Sequence, residues 1–411
     1  GEAPSIEQRV ADAEAAARPA RRRRRRRSHP AAWPWRFVFP LVTLAAAVAI
    51  PVFWKVAAKA VLESTAGVTS YEISDPTAPN YVALVDPTET FLAIHVDDSD
   101  TLVGASLLTL KDKVSGGGTI VGIPAEFLGS PADSETLEAL HLSYSIGGVE
   151  RVVDAIARSI GTRPLEYEVL PPSVWASLIS PVAGFEYSVL DDLSFRSADG
   201  SLLTVSSGVA RVGADELLVI SSALDNKPGI NRAERIERLW TRWIEAIRTS
   251  RSQPTIGGGS AKLEEYVARL APGQVSYQPL PTAPFRVDDG DQPIYVSDSE
   301  QVETLVHTVI PFPIPYAPGA IPSVELINGA GDIAVNDSVI GAVVDAGGLL
   351  SVISNPPVFG VAKSRIAYFN ETHLDLVTQL AADLGGIDVQ FFAADDPEVD
   401  VRITIGTDYR P

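Results

Sequence analysis

The 411-residue chain has no cysteine and only five histidines. Without cysteine neither a disulfide nor a thiolate metal site can form, so core packing must hold the fold. His29, His95, His141, His307 and His373 are scattered without H-E-x-x-H or any other ligand spacing, which argues against a histidine-based metalloenzyme and predicts no metal site. Charge is also missing locally. In a protein of formal net charge −19, the 18 residues from Phe37 to Trp54 carry none. As a helix such a stretch spans about 27 Å, close to the thickness of a hydrocarbon core. Pro40 and Pro51 sit near its ends.

Directly before it stand seven consecutive arginines, Arg21 to Arg27. Residues 1–36 hold ten Arg against Glu2, Glu7, Asp12 and Glu14, a net of +6, so residues 37–411 carry −19 − 6 = −25. Nucleic-acid binders spread basic residues over a folded face, and a polyanion of this kind repels DNA. Arginines flanking one end of an apolar span are retained in the cytoplasm, which predicts an N-terminus inside and everything after Lys55 outside. Ala58-Lys59-Ala60 offers the alternative of a cleaved signal, but the apolar stretch exceeds the usual h-region of about 7 to 15 residues. The expected partition is a cytoplasmic basic tail (1–36), a transmembrane anchor (37–54) and a stalk (55–75). About 350 further residues, in a chain that is 45% hydrophobic, leave room for two domains.

Strand-like runs follow at Tyr81 to Val85, Thr90 to Val96, Leu102 to Leu110 and Thr119 to Ile123, with "SGGGT" as a strand-to-strand loop. Its three glycines lack the Lys and Ser/Thr of a phosphate-binding loop, so a hairpin turn is the better reading. Helical periodicity is expected from Asp133 and again from Gly147, where Val149, Val152, Val153, Ile156 and Ile160 share a face before the stop signal Gly161 and Pro164. In "NRAERIERLWTRWIEAI", Ile236, Leu239, Trp240, Trp243, Ile244 and Ile247 form an apolar stripe, read as core, with Arg232, Arg235, Arg238 and Arg242 on other faces. A Gly-rich break at 257–259, a helix around Leu263 to Leu270 and strands near Val275 and Ile294 complete the unit. "PFPIPYAPG" reads as a stiff linker.

The last 90 or so residues alternate strand and helix, a small α/β domain. Gly329-Ala330-Gly331-Asp332-Ile333-Ala334 fits the dinucleotide pattern G-x-G-x-x-A. The ribose-binding acid due about 20 residues later is absent; that region reads "VISNPPV". These glycines therefore predict a tight βα turn.

"LSYSIGGVERVVDAIARSIGTRPLEYEVL" and "GADELLVISSALDNKPGINRAERIERLW" resemble segments of the LytR-CpsA-Psr family, and "SVELINGAG", "VVDAGGLLSVIS" and "VRITIGTDY" resemble the LytR C-terminal domain. Active members of that family are membrane-anchored and transfer phosphate-linked glycopolymers from a polyprenyl carrier to the cell wall. The resemblance covers about residues 76–410 and implies an α/β fold with a single N-terminal transmembrane helix, a larger domain (76–310), a Pro-rich linker (311–322) and a small C-terminal domain (323–411). It departs at the catalytic positions. The family's Ile-Pro-Arg-Asp element stands here as Ile123-Pro124-Ala125-Glu126, and its Ala-Tyr-Val-Arg-x-Arg segment as Leu218-Val219-Ile220-Ser221-Ser222-Ala223. Three arginines are thus replaced, at Ala125, Ser221 and Ala223.

Asp100-Thr101 matches the family's Asp-Thr pair, with Asp97 and Asp98 beside it, and Arg232 and Arg235 match its later Arg-x-x-Arg. Phosphoryl transfer needs cations to neutralise the transferring group, so the expectation is a non-catalytic envelope protein without a cofactor, in which Arg232 and Arg235 hold a lipid pyrophosphate at the mouth of an apolar groove. Its expected partners are the membrane, a polyprenyl-linked glycan or cell-wall polymer, and envelope proteins, with no nucleic acid. The alternative is an active phosphotransferase in which Asp98, Asp100, Arg232 and Arg235 work with Mg²⁺. A third reading is a protein-interaction platform presenting its C-terminal domain beyond the linker. Under the bland reading the aspartates are a solvated loop and the arginines flank a helix start.

Overall fold

The computed structural model describes residues 73–134, 136–180, 185–224, 228–249, 260–287, 293–394 and 397–410. The basic tail, the apolar span 37–54, the stalk up to residue 72 and the Gly-rich break at 257–259 lie outside them. Among the described residues no helix is long and apolar enough to cross a membrane.

The strands in chain order are β1 (Val82–Leu84), β2 (Thr90–Val96), β3 (Leu102–Leu110), β4 (Gly118–Pro124), β5 (Leu128–Gly129), β6 (Glu138–Ala139), β7 (Glu166–Leu170), β8 (Glu186–Val189), β9 (Leu193–Arg196) and β10 (Leu202–Val205). They continue as β11 (Gly208–Arg211), β12 (Val275–Pro279), β13 (Thr282–Val287), β14 (Pro293–Ser297), β15 (Ser323–Asn328), β16 (Leu349–Ser354), β17 (Arg365–Tyr368), β18 (Asp388–Phe391) and β19 (Val401–Ile405). The helices are α1 (Leu140–Ile160), α2 (Pro172–Ile179), α3 (Ala214–Ser222), α4 (Pro228–Thr249), α5 (Ala261–Leu270), α6 (Ser299–Val309), α7 (Ala334–Asp345) and α8 (Leu374–Asp383).

A five-stranded sheet ordered β12-β4-β3-β2-β7 forms the frame of the larger part. β2, β3 and β4 make an antiparallel meander, and the outer strands β12 and β7 run parallel to β4 and β2. Every residue of β2, β3 and β4 is buried, because both sheet faces are covered. Successive side chains point to opposite faces. Phe91 and Ala93 enter the cluster under α2, α3, α4 and α5, whereas Leu92 and Ile94 enter the one under α1 and α6. The stripe on α4 is core: Ile236, Leu239, Trp240, Trp243 and Ile244 are all buried on the first face.

Two helix boundaries differ from expectation. No helix begins at Asp133; the short pair β5 and β6 intervenes and α1 starts at Leu140. Inside α1, Gly148 takes φ 68° and kinks the helix, a conformation that a residue with a Cβ adopts at a cost. α6 was not anticipated, although Val302, Leu305 and Val306 repeat on one face and Asp298 caps its start by accepting the Gln301 N–H.

The C-terminal part folds on a second sheet, ordered β1-β16-β15-β19-β17-β18. Its edge strand β1 comes from residues far earlier in the chain. Val82↔Ser354, Ala83↔Ile353 and Leu84↔Val352 pair antiparallel, and Asn355 Nδ2 donates to the Pro76 and Ala78 carbonyls at 2.9 and 2.8 Å. Residues 76–85 therefore complete the C-terminal sheet rather than opening the larger one. The Pro-rich segment after α6 is likewise seated: Arg163 N donates to Ile314 O at 2.8 Å, and Thr88 N to Phe312 O at 2.8 Å. Residues 73–411 accordingly make one compact unit.

Both glycine motifs are packing devices. At Gly329 a Cβ would stand 2.7 Å from Val361, and at Gly331, with φ 82°, 2.9 Å from Phe359. Asn328 fills the turn, accepting the Gly331 N–H and donating to Asp332 O, both at 2.9 Å. In SGGGT the amides of Gly117 and Gly118 donate to the Leu270 and Gln274 carbonyls at 2.9 Å, which leaves a hairpin turn between β3 and β4 and no phosphate cradle.

Candidate functional site

The residues singled out from the sequence gather at the ends of β2 and β4 and along the first turns of α4. The β2-β3 connection is a tight turn closed by Asp97, whose Oδ1 accepts the Ser99 and Thr101 amides at 2.9 Å. Asp100 occupies left-handed backbone (φ 57°), which Asp tolerates better than most residues. Asp97 is thus a turn former.

Asp98 and Asp100 face different elements. Asp98 Oδ2 accepts the Ala198 N–H at 2.9 Å and the Ser197 hydroxyl, tying β2 to the β9-β10 turn, while its buried Oδ1 has no hydrogen-bond partner. Asp100 Oδ1 accepts the Tyr144 hydroxyl at 2.9 Å. Burial first, and then that bond to Asp100, push the Tyr144 phenol up to about 12. Among the described residues no three His, Asp or Glu side chains gather as metal ligands. Asp98 and Asp100 are thus engaged with different partners, Asp98 with the β9-β10 turn and Asp100 with Tyr144.

Arg232 and Arg235 lie one turn apart on α4, and both are buried. Arg232 Nη2 donates to Glu126 Oε1 at 2.6 Å, with each side chain 6% exposed. Arg235 turns the other way, donating from Nε to Ile220 O at 2.8 Å and from Nη2 to Ala223 O. Those carbonyls belong to the C-terminal end of α3, where a cation satisfies orphan acceptors and meets the negative end of the helix dipole. Both arginines were expected at the mouth of an apolar groove, and both side chains are largely buried. Both guanidinium groups are hydrogen-bonded to the protein's own oxygens, and Arg235 also lines a cavity of about 230 Å³ with Tyr187, Asn231, Glu234 and Arg238.

Neighbouring positions fit around these bonds. Ala223, where an arginine of the resembled pattern would stand, supplies a carbonyl to Arg235. Glu126 follows Ala125 just past the end of β4, and its carboxylate pairs with Arg232. Gly229 makes room for this, since a Cβ there would come within 2.6 Å of Glu126 Oε2 and 2.9 Å of the Tyr295 ring. Among the described residues Glu126 Oε2 and Arg232 Nε have no hydrogen-bond partner, so the 2.6 Å bond carries most of the compensation for two desolvated charges. The sequence carried one signal of this pair: an acid at 126 directly after an apolar strand and a basic residue at 232 on the helix with the apolar stripe.

Behind the arginines the space between sheet and helices is filled with aromatic rings. Trp175 of α2 and Trp240 of α4 meet edge to face with centroids 4.6 Å apart, and Trp243 lies 5.4 Å from Trp240. His95 stands edge-on to Trp175 at 4.8 Å, and its Nε2 is 2.9 Å from Ser106 Oγ, to which Trp240 Nε1 also donates at 3.0 Å. Burial pushes the His95 imidazole down to about 3, so it is neutral. The void bounded by His95, Val96, Trp175, Ser221, Ile236 and Leu239 is about 10 Å³, far below the roughly 300 to 1,000 Å³ of ligand pockets. Trp175 was not flagged from the sequence, because a lone Trp in "PPSVWASLI" carries no periodic signal.

No family profile matches the chain, and no curated protein matches it. Among solved structures it is similar to Bacillus subtilis TagV at 13% identity, covering 55% of this chain and 96% of that one with a TM-score of 0.44. A LytR-Csp2A-Psr enzyme from Actinomyces oris shares 18% identity over 56% of this chain and 96% of that one, at a TM-score of 0.42. The LytR-CPS2A-psr family protein YwtF (TagT) with bound octaprenyl pyrophosphate lipid shares 11% over 59% of this chain and 93% of that one, at 0.40.

Proposed function

We propose that this chain is a membrane-anchored, extracytoplasmic protein of the bacterial envelope whose LytR-CpsA-Psr-like part is a non-catalytic scaffolding or binding module in cell-wall glycopolymer assembly. The observation that carries this reading is the fate of the two surviving arginines: Arg232 is neutralised by Glu126 at 2.6 Å and Arg235 is bound to the end of α3. A phosphotransferase needs cations aimed at the charge that develops on the transferring group. Here those cations already face protein oxygens. Removing one preorganised donor costs about 2.7 to 4 kcal/mol of transition-state stabilisation, and three arginines are replaced at Ala125, Ser221 and Ala223. The tryptophan cluster favours scaffolding, because the void beside Trp175 and Ser221, about 10 Å³, is too small to hold an apolar tail. The anchor and the orientation rest on the arginine block beside the uncharged span 37–54.

The test is a turnover assay. Full-length protein in detergent, given Mg²⁺ and a polyprenyl pyrophosphate analogue carrying a glycan, should neither hydrolyse nor transfer it. Mg²⁺-dependent turnover that disappears in Asp100→Ala, an exposed position, would establish the enzyme instead.

A further inference from the structure

A further cavity lies at the opposite end of the five-stranded sheet from Asp98 and Arg232. It is a cleft of about 1140 Å³ between the start of β12, the SGGGT turn and the segment after α6. Among the described residues β12 is an edge strand, paired with β4 alone. Gln274, just before it, and Ser276 and Gln278 within it alternate onto one exposed face and all line the cleft. Ser276 Oγ lies 2.9 Å from Thr119 Oγ1 on the neighbouring strand, which extends the polar surface inward. Among the described residues no hydrogen bond or ion pair engages the side-chain amides of Gln274 and Gln278.

Three features define what this cleft would hold. Its charges are largely matched internally: Lys113 pairs with Asp86 at 2.8 Å and Glu89 at 3.7 Å, Glu89 also pairs with Arg269, and Asp112 Oδ1 accepts the Val114 and Ser115 amides. Lys111 is the one lining ammonium without a partner among the described residues. The opposite wall is apolar and fixed, made by Val309, Pro311 and Phe312, with Phe312 held through both backbone groups by Thr88. The turn contributes a wall of bare backbone, since a Cβ on Gly116 or Gly117 would fall 2.3 or 2.7 Å from the Arg269 or Gln274 carbonyl. Primary amides both donate and accept, matching hydroxyl groups, which do the same. An apolar wall receives the C–H face of a sugar ring.

We infer that this cleft is a binding site for an uncharged saccharide chain, oriented along β12 by Gln274, Ser276 and Gln278 and packed against Phe312. The volume exceeds that of a typical small-ligand pocket, about 300 to 1,000 Å³, and the cleft is open, as a chain longer than one sugar requires. The assignment stands apart from the anchor and from the chemistry at Asp98 and Arg232, so its failure would leave the proposed function untouched.

The experiment uses full-length protein in detergent and a panel of neutral hexasaccharides in gluco, N-acetylgluco, manno, galacto and arabino series, screened by microarray, with calorimetry on the tightest. At least one series should bind, and Gln274→Ala combined with Gln278→Ala should weaken it about tenfold or more, the loss of two hydrogen bonds, with thermal unfolding unchanged. Lys111→Gln should alter affinity less than about twofold, as an exposed charge opposite an uncharged ligand has little to lose. Binding to no series would overturn the assignment. So would competition by inorganic phosphate together with a large loss in Lys111→Gln, which would make the cleft an anion site.

Discussion

Glu126→Ala separates a structural Arg232 from a binding Arg232. In the folded protein the pair is joined by one 2.6 Å bond, and each side chain is 6% exposed. Truncating the carboxylate leaves a guanidinium buried without its counter-charge, which typically costs about 3 to 5 kcal/mol. That is a large share of the roughly 5 to 15 kcal/mol that holds a domain folded. Arg232→Met strands Glu126 in the same way, but the methionine fills much of the volume the guanidinium leaves, so its cost should be smaller than that of Glu126→Ala, which also opens a cavity. The double variant Glu126→Leu with Arg232→Met removes both desolvation penalties, and buried pairs replaced in this way are often neutral or more stable by about 1 to 4 kcal/mol. The order expected is therefore double variant, then Arg232→Met, then Glu126→Ala as the least stable. Urea unfolding followed by tryptophan fluorescence reads this directly, since Trp175, Trp240 and Trp243 lie in the same core. If Glu126→Ala costs less than about 1 kcal/mol, the value of an exposed pair, and the variant gains affinity for inorganic phosphate, the arginine was an anion site screened by its neighbour and the structural reading fails.

The His95 imidazole is neutral in the fold, down to about 3, and takes up a proton in the unfolded chain near pH 6.5, so its contribution is present above that pH and lost as pH falls toward 3. The slope is at most about 1.4 kcal/mol per pH unit, and His95→Gln, compared by urea unfolding across pH, should have a shallower acid limb; parallel limbs would show that His95 is not the buried neutral group. A fragment from Ile321 to the end should unfold cooperatively yet be about 2 kcal/mol weaker than the same fragment with residues 73–85 joined to it, because the hydrogen bonds of β1 and Asn355 are lost; equal midpoints would mean that β1 adds nothing. Protease applied to intact cells should digest the chain after Lys55 and spare the N-terminal tail, and a protected C-terminus would reverse the orientation.

Much of the fold was legible along the chain. β2 and β3 occupy the segments Thr90–Val96 and Leu102–Leu110 that their apolar runs indicate, and the stripe on α4 is core. These succeed because period and burial are local: a strand covered on both faces is apolar throughout, and a helix with one buried face repeats every third or fourth residue. The same locality made the absence of a ribose acid after Gly331 readable. What depended on distant contacts was not readable. That β1 crosses to the C-terminal sheet follows from backbone hydrogen bonds, which any sequence can make, so "VAL" carries no sign of its partner. That Arg232 faces Glu126 while Arg235, three residues on, faces the end of α3 depends on which oxygens 106 and 15 residues away arrive beside α4. Charge in the sequence names a cation, but only the packed interior decides whether it meets a ligand or the protein's own carboxylate, since desolvation forces a buried charge to find a partner among whatever the fold brings to it.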